Sequence, residues 1–212
     1  MLTALRRPAG TGPAVLVLHG GSADSPAPTG RWSPAVLRLV PVASAVARAV
    51  PGAAVFRLRN SVRGWNGDGA AVLGDARWAV ERIASAGPGR SIVLVGHSLG
   101  GRVAAHLAAT AGSVSETARV AGAVLLAPWL EPPDPVDGLA GMPLTVVQGT
   151  RDRMIPSSST QAWLARAARA GALIERATVP GGEHTMLRHA REWHRLCIAG
   201  VGRALAAASP AH

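Results

Sequence analysis

The chain has 212 residues, 48% hydrophobic and 16% charged, with a formal net charge of +10. That balance excludes a disordered chain, and no apolar run approaches the ~18 residues that a membrane-spanning helix requires. All 22 basic residues are arginine, but they stand singly rather than in blocks or among aromatics, so no nucleic-acid partner is expected.

Residues 1–12 read as a polar lead-in rather than a strand. The arginines at its start follow a short apolar stretch and meet a proline, unlike a secretory leader, so a cytoplasmic location is expected. Ala14-Val15-Leu16-Val17-Leu18 is a continuous apolar run of the kind buried on both faces of a parallel sheet. It delivers His19-Gly20-Gly21-Ser22, and residues 22–30 are loop by composition. Helical spacing runs from about 34 to 50, with Pro41 expected to kink or break it. A strand over 53–58, a long loop over 59–69 and a helix over 70–86 follow. The alternation continues with strand 91–95, helix 99–111, strands 120–126 and 143–149, helix 157–170, strand 172–179 and a closing helix over 187–207. Cys197, the only cysteine, falls in that last helix between apolar neighbours and reads as a buried thiol.

Six strands alternating with helices predict a single α/β domain over residues 1–212. The expected architecture is a three-layer α/β/α sandwich on a mostly parallel sheet of about six strands. Reactive residues then belong in the loops at the carboxyl ends of the strands.

Three such loops each offer one reactive residue type. Gly96-His97-Ser98-Leu99-Gly100 sits between a strand and a helix, where a sharp turn raises a serine hydroxyl clear of the backbone. A side chain at Gly96 or Gly100 would collide with a neighbouring element. Gly149-Thr150-Arg151-Asp152 supplies a carboxylate, and Gly182-Glu183-His184 an imidazole. Ser98, Asp152 and His184 therefore occur in the order serine, acid, histidine, one of several orders in which such a set is found. The Gly20-Gly21 pair can turn backbone N–H groups into a cleft, and with the Leu99 N–H it makes a candidate oxyanion hole.

These four loops resemble those of the α/β-hydrolase superfamily, over residues 14 to about 205. The resemblance implies an acyl-enzyme mechanism with Ser98 as nucleophile, His184 as base and Asp152 as orienting acid, and needs no cofactor. Family members commonly begin with an extra strand pair and carry a helical cap after the sixth strand. Here too few residues precede Ala14, and only residues 127–142 join two strands where the cap would lie, so a minimal, lidless member is expected. The implied reaction is hydrolysis of small carboxylic esters or thioesters. An acyltransferase or peptidase using the same three residues, or a hydrolase-fold binding protein without catalysis, is the alternative.

Several residues compete for these roles. Glu131, Asp134 and Asp137 follow the preceding strand, from which some members of the superfamily draw the acid. His19 and His97 also lie near strand ends, whereas His106, His189 and His194 sit in helical pattern. Trp65 and Trp129 fall on loops at the same edge, where an indole either floors an acyl pocket or simply packs its loop. Arg57, Arg59, Arg63, Arg151 and Arg153 share that edge, so Arg63 and Arg153 are candidate contacts for an anionic part of the substrate. No Cys, His and carboxylate grouping has metal-ligand spacing, so no metal is expected.

Overall fold

The computed structural model describes residues 1–6, 12–110, 119–155 and 157–208. Seven strands form one sheet in the order β1-β3-β2-β4-β5-β6-β7. They are β1 (Leu2–Arg6), β2 (Ala14–Leu18), β3 (Ala54–Leu58), β4 (Ser91–His97), β5 (Arg119–Leu126), β6 (Pro143–Gly149) and β7 (Leu173–Val179). Every neighbouring pair is parallel except β1 with β3. The helices are α1 (Pro34–Ala49), α2 (Ala70–Ser85), α3 (Leu99–Ala109), α4 (Ser157–Arg169) and α5 (Ala190–Ala208).

Alternation within each strand sorts side chains into two cores. Leu16, Leu18, Leu94, Leu125 and Val146 face α2, α3 and α4, while Val15, Val17, Val93, Val95 and Val147 face α1 and α5. Burial on both faces is why these strands are unbroken apolar runs. Cys197 lies on the α5 side, wholly buried, and burial pushes its thiol up to about 12. Among the described residues no helix is long and apolar enough to cross a membrane.

Two local expectations are corrected. Residues 2–6 form a strand, β1, antiparallel to β3 through pairs such as Leu2 with Leu58 and Ala4 with Phe56. An edge strand bonds on one side only, and β1 is partly exposed along its length, so it lacks the apolar run that marks the central strands. Pro41 does not break α1, which runs through it. Leu37, whose carbonyl loses its usual partner four residues on, is itself exposed, as is Pro41, so water can satisfy that oxygen. Residue 111, where the sequence ended the third helix, lies outside the described residues.

The sheet order matters for function. From β2 the chain moves outward to β3, then returns to place β4 on the other side of β2. The crevice at the carboxyl ends of β2 and β4 is therefore a topological switch point, where open α/β sheets bind ligands. His19-Gly20-Gly21 leaves β2 and Ser98 leaves β4 into this crevice.

Candidate active site

Ser98 occupies the turn between β4 and α3 with φ 54° and ψ −117°, a backbone conformation that costs a non-glycine residue of order 1–3 kcal/mol. Close packing holds it there. A Cβ at Gly96 would stand 2.1 Å from the Gly100 carbonyl oxygen, and one at Gly100 would stand 2.3 Å from that of Leu18. The Ser98 carbonyl accepts from the N–H groups of Gly101, Arg102 and Trp129 at 2.9, 3.1 and 3.2 Å. The turn is thus fixed both by the start of α3 and by the loop after β5.

The hydroxyl of Ser98 meets His184 Nε2 at 3.0 Å, and His184 Nδ1 meets Asp152 Oδ2 at 2.9 Å. Asp152 cannot donate when ionised, so Nδ1 carries the proton and Nε2 accepts from the serine. The other Asp152 oxygen accepts from the N–H groups of Met154 and Ile155 at 2.9 and 3.3 Å. Burial raises the Asp152 carboxyl, but the His184 hydrogen bond and charge, with these two amides, outweigh it and hold the group below the usual carboxylate range. The two loops are locked together: the Arg151 N–H bonds the Gly182 carbonyl at 2.9 Å, and a Cβ at Gly149 would stand 2.4 Å from that same oxygen.

Two further histidines support this set. His97 Nε2–H donates to the backbone carbonyl of His184 at 2.8 Å, tying the histidine loop to β4. Burial lowers His97 to about 3, so its ring stays neutral beside that of His184. His19 accepts the Asn60 N–H at Nε2, 3.1 Å, so its Nδ1–H donates to the Gly20 carbonyl at 2.6 Å. That bond fixes the Gly20–Gly21 peptide plane, and with it the direction of the Gly21 N–H. Position in sequence marked both residues as near the site; their supporting bonds join segments far apart in the chain and left no local signal.

Gly20 lies directly beside the serine, where a Cβ would be 3.3 Å from Ser98 Cβ. A Cβ at Gly21 would be 2.2 Å from the Arg63 carbonyl oxygen and 2.5 Å from a Leu99 methyl, so only glycine fits. Among the described residues, no carbonyl accepts from the Gly21 or the Leu99 N–H. Leu99 opens α3, where the first N–H groups lack helical partners and the helix dipole favours negative charge.

The other candidates separate. Trp65 is only 5% exposed, and the Arg102 guanidinium lies 4.1 Å from its ring and 4.6 Å from that of Trp129. The two indoles are clamped around Arg102, so for Trp65 packing, not a pocket floor, is what the structure records. Arg102 in turn bonds Asp134 through two nitrogens, at 3.0 and 2.8 Å, and His106 Nε2 meets the same oxygen at 3.0 Å. Asp134, weighed above as a competing acid, is thereby occupied. Arg63 is exposed and borders a cavity of 440 Å³ beside Gly20 and Gly21, while Arg153 borders a depression of 390 Å³ beside His184. Among the described residues no three His, Cys, Asp or Glu side chains are grouped to hold a metal ion.

The Arg102–Asp134 pair predicts a stability effect without a chemical one. Burial raises the Asp134 carboxyl, but hydrogen bonds from His106 and Arg102 and the Glu131 amide outweigh it, holding it below the usual carboxylate range. Replacing Asp134 with Asn leaves Arg102 buried and unpaired, so a loss of about 3–5 kcal/mol is expected in urea denaturation at neutral pH. Because the folded carboxyl is depressed, its contribution is complete above the unfolded value near ~3.9 and is lost as pH falls below it. The gap between wild type and variant should accordingly narrow below about pH 4. A constant gap from neutral pH into acid would show that the carboxylate charge is not the stabilising feature.

A family profile described as "alpha/beta hydrolase fold" matches residues 13–166. No curated protein matches the chain. Among solved structures, the acetyl ester-xyloside bifunctional hydrolase of Caldicellulosiruptor lactoaceticus aligns with TM-score 0.72 and 18% identity, over 95% of this chain and 87% of that one. Esterase 2 of the planctomycete Thermogutta terrifontis, solved with butyrate bound, aligns with TM-score 0.68 and 16% identity, over 97% and 88% of the two chains. A bacterial heroin esterase aligns with TM-score 0.70 and 19% identity, over 93% and 76%. At these identities the likeness is one of fold.

Proposed function

The chain belongs to the alpha/beta hydrolase fold family, and on that premise we propose that it is a serine hydrolase cleaving small carboxylic esters or thioesters. The observation that carries the reading is the unbroken relay from Ser98 through His184 to Asp152, at 3.0 and 2.9 Å. Ester-cleaving proteins among the structural neighbours agree with it.

In the proposed reaction Ser98 Oγ adds to the substrate carbonyl as its proton passes to His184 Nε2. The carbonyl oxygen becomes an oxyanion held by the N–H groups of Leu99 and of Gly20 or Gly21. The bond to the leaving oxygen or sulfur then breaks as His184 returns the proton to it. Water adds to the acyl-serine, giving its proton to His184, and Ser98 leaves with that proton while the carboxylic acid is released. Asp152 holds His184 in the tautomer this sequence requires and stabilises the transient imidazolium.

Water is the natural acceptor here. Residues 127–142, where members of the superfamily commonly carry a cap, contain loop and one short 3-10 turn, Asp137–Leu139, so no helical lid covers the serine from that segment.

A fluorophosphonate probe tests the proposal directly. It should add one mass to Ser98, found by peptide mapping, in step with loss of activity on aryl esters. Folded protein that neither reacts with the probe nor cleaves any aryl ester or acyl thioester would overturn it.

A further inference from the structure

Two cavities, one beside His184 and one beside Gly20 and Gly21, differ in character. His184 must return its proton to the leaving atom, so the leaving group belongs on the His184 side, where the 390 Å³ depression lies among Arg151, Arg153, Met154 and Glu183. The acyl portion is left the other side, along Gly20 and Gly21, where the 440 Å³ cavity lies. Its volume falls in the range of small-molecule sites, roughly 300–1,000 Å³.

That second cavity is lined for an anion. Arg38 enters it from α1 and Arg63 from the loop after β3, with Thr29, Ser25 and Ser33 between them and no carboxylate in the lining. Arg38 is half-buried, its Nε has no hydrogen-bond partner, and burial alone pushes its guanidinium below the usual value. Arg63 uses Nε to bond the Pro28 carbonyl at 3.1 Å, which orients the guanidinium and leaves its two terminal nitrogens available. Thr29 is 2% exposed and its hydroxyl is likewise without a partner. Among the described residues neither arginine has a salt bridge. Two guanidiniums without a carboxylate beside them, and a buried hydroxyl without a partner, make a set of donors that an incoming carboxylate would complete.

We infer that this cavity binds a carboxylate at the far end of the acyl group, so that the preferred substrates are half-esters or half-thioesters of short dicarboxylic acids. The inference rests on the serine hydrolase reading above and adds the substrate class. Arg38, on a helix and outside the loops that sequence marks as functional, is the residue that converts one exposed arginine into a two-point site.

Paired substrates test it: para-nitrophenyl hemiglutarate against the uncharged para-nitrophenyl pentanoate. Wild type should show kcat/KM at least about ten-fold higher for the hemiglutarate at low salt, and that ratio should fall toward one as ionic strength rises to molar levels. The salt series needs no variant. Arg38→Gln and Arg63→Gln should each reduce the ratio by about ten-fold, mainly through KM for the charged ester. Equal rates on the two esters, or a preference indifferent to salt and to both substitutions, would overturn the inference. If Ser98 still labels and the pentanoate is still cleaved, the hydrolase reading survives that result; absence of labelling and of all cleavage would take both down.

Discussion

Replacing Ser98 with alanine is expected to lower kcat/KM on an aryl ester by about a million-fold, to the level set by binding and the oxyanion donors alone. The expectation follows from how little else the hydroxyl does. Its contact is with His184 Nε2, so removing it leaves the His184–Asp152 bond and both supporting histidines in place. The turn itself is held by the Ser98 backbone, through Leu126 on one side and Gly101, Arg102 and Trp129 on the other, none of which needs the side chain. Thermal stability should therefore change by no more than about 1 kcal/mol. The two readouts together separate chemistry from folding: a folded, inert variant that no longer takes up fluorophosphonate is the expected result. Residual turnover within ten-fold of wild type would place the nucleophile elsewhere.

Much of this site can be read before any coordinates, for physical reasons. A central parallel strand must be apolar on both faces, so β2, β4 and β5 announce themselves, and residues at their ends inherit a place in the crevice. Glycines at 96, 100 and 21 mark where backbone approaches backbone too closely for a side chain, and Gly20 where it approaches Ser98 and the His97 ring. What stays hidden is whatever depends on partners distant in sequence. The edge strand β1 shows no apolar run because half of it faces water. Trp65 and Trp129 sit at the expected edge, yet Arg102 turns them inward, an arrangement built from α3 and two separate loops. His97 looks like filler before the serine until its ring is seen holding the His184 carbonyl. Arg38 sits in ordinary helical pattern, and only the packing of α1 beside Gly20 and Gly21 brings it to the cavity.

Asp152 decides which tautomer His184 adopts, and the surroundings of its two oxygens make the outcome of Asp152→Asn calculable in direction. Oδ1 accepts the backbone N–H groups of Met154 and Ile155, which cannot turn away, whereas the second donor to Oδ2, the Gln148 side-chain amide at 3.5 Å, can rotate. An asparagine therefore places its carbonyl oxygen at the Oδ1 position. Its NH2 group then falls at the Oδ2 position, 2.9 Å from His184 Nδ1 in the wild type. Two donors cannot face each other, so the imidazole proton moves to Nε2, and the nitrogen facing Ser98 can no longer accept a proton. A loss of about ten-thousand-fold in kcat is expected, with KM little changed, because the substrate still meets the same cavity and oxyanion donors. Asp134→Asn is the control: it removes an equally buried carboxylate whose partners are Arg102 and His106, so it should weaken folding while kcat of the folded fraction stays within a few-fold. Should the two variants exchange these phenotypes, with the catalytic loss at position 134, the acid would belong to the loop after β5 and the relay drawn through Asp152 would be wrong.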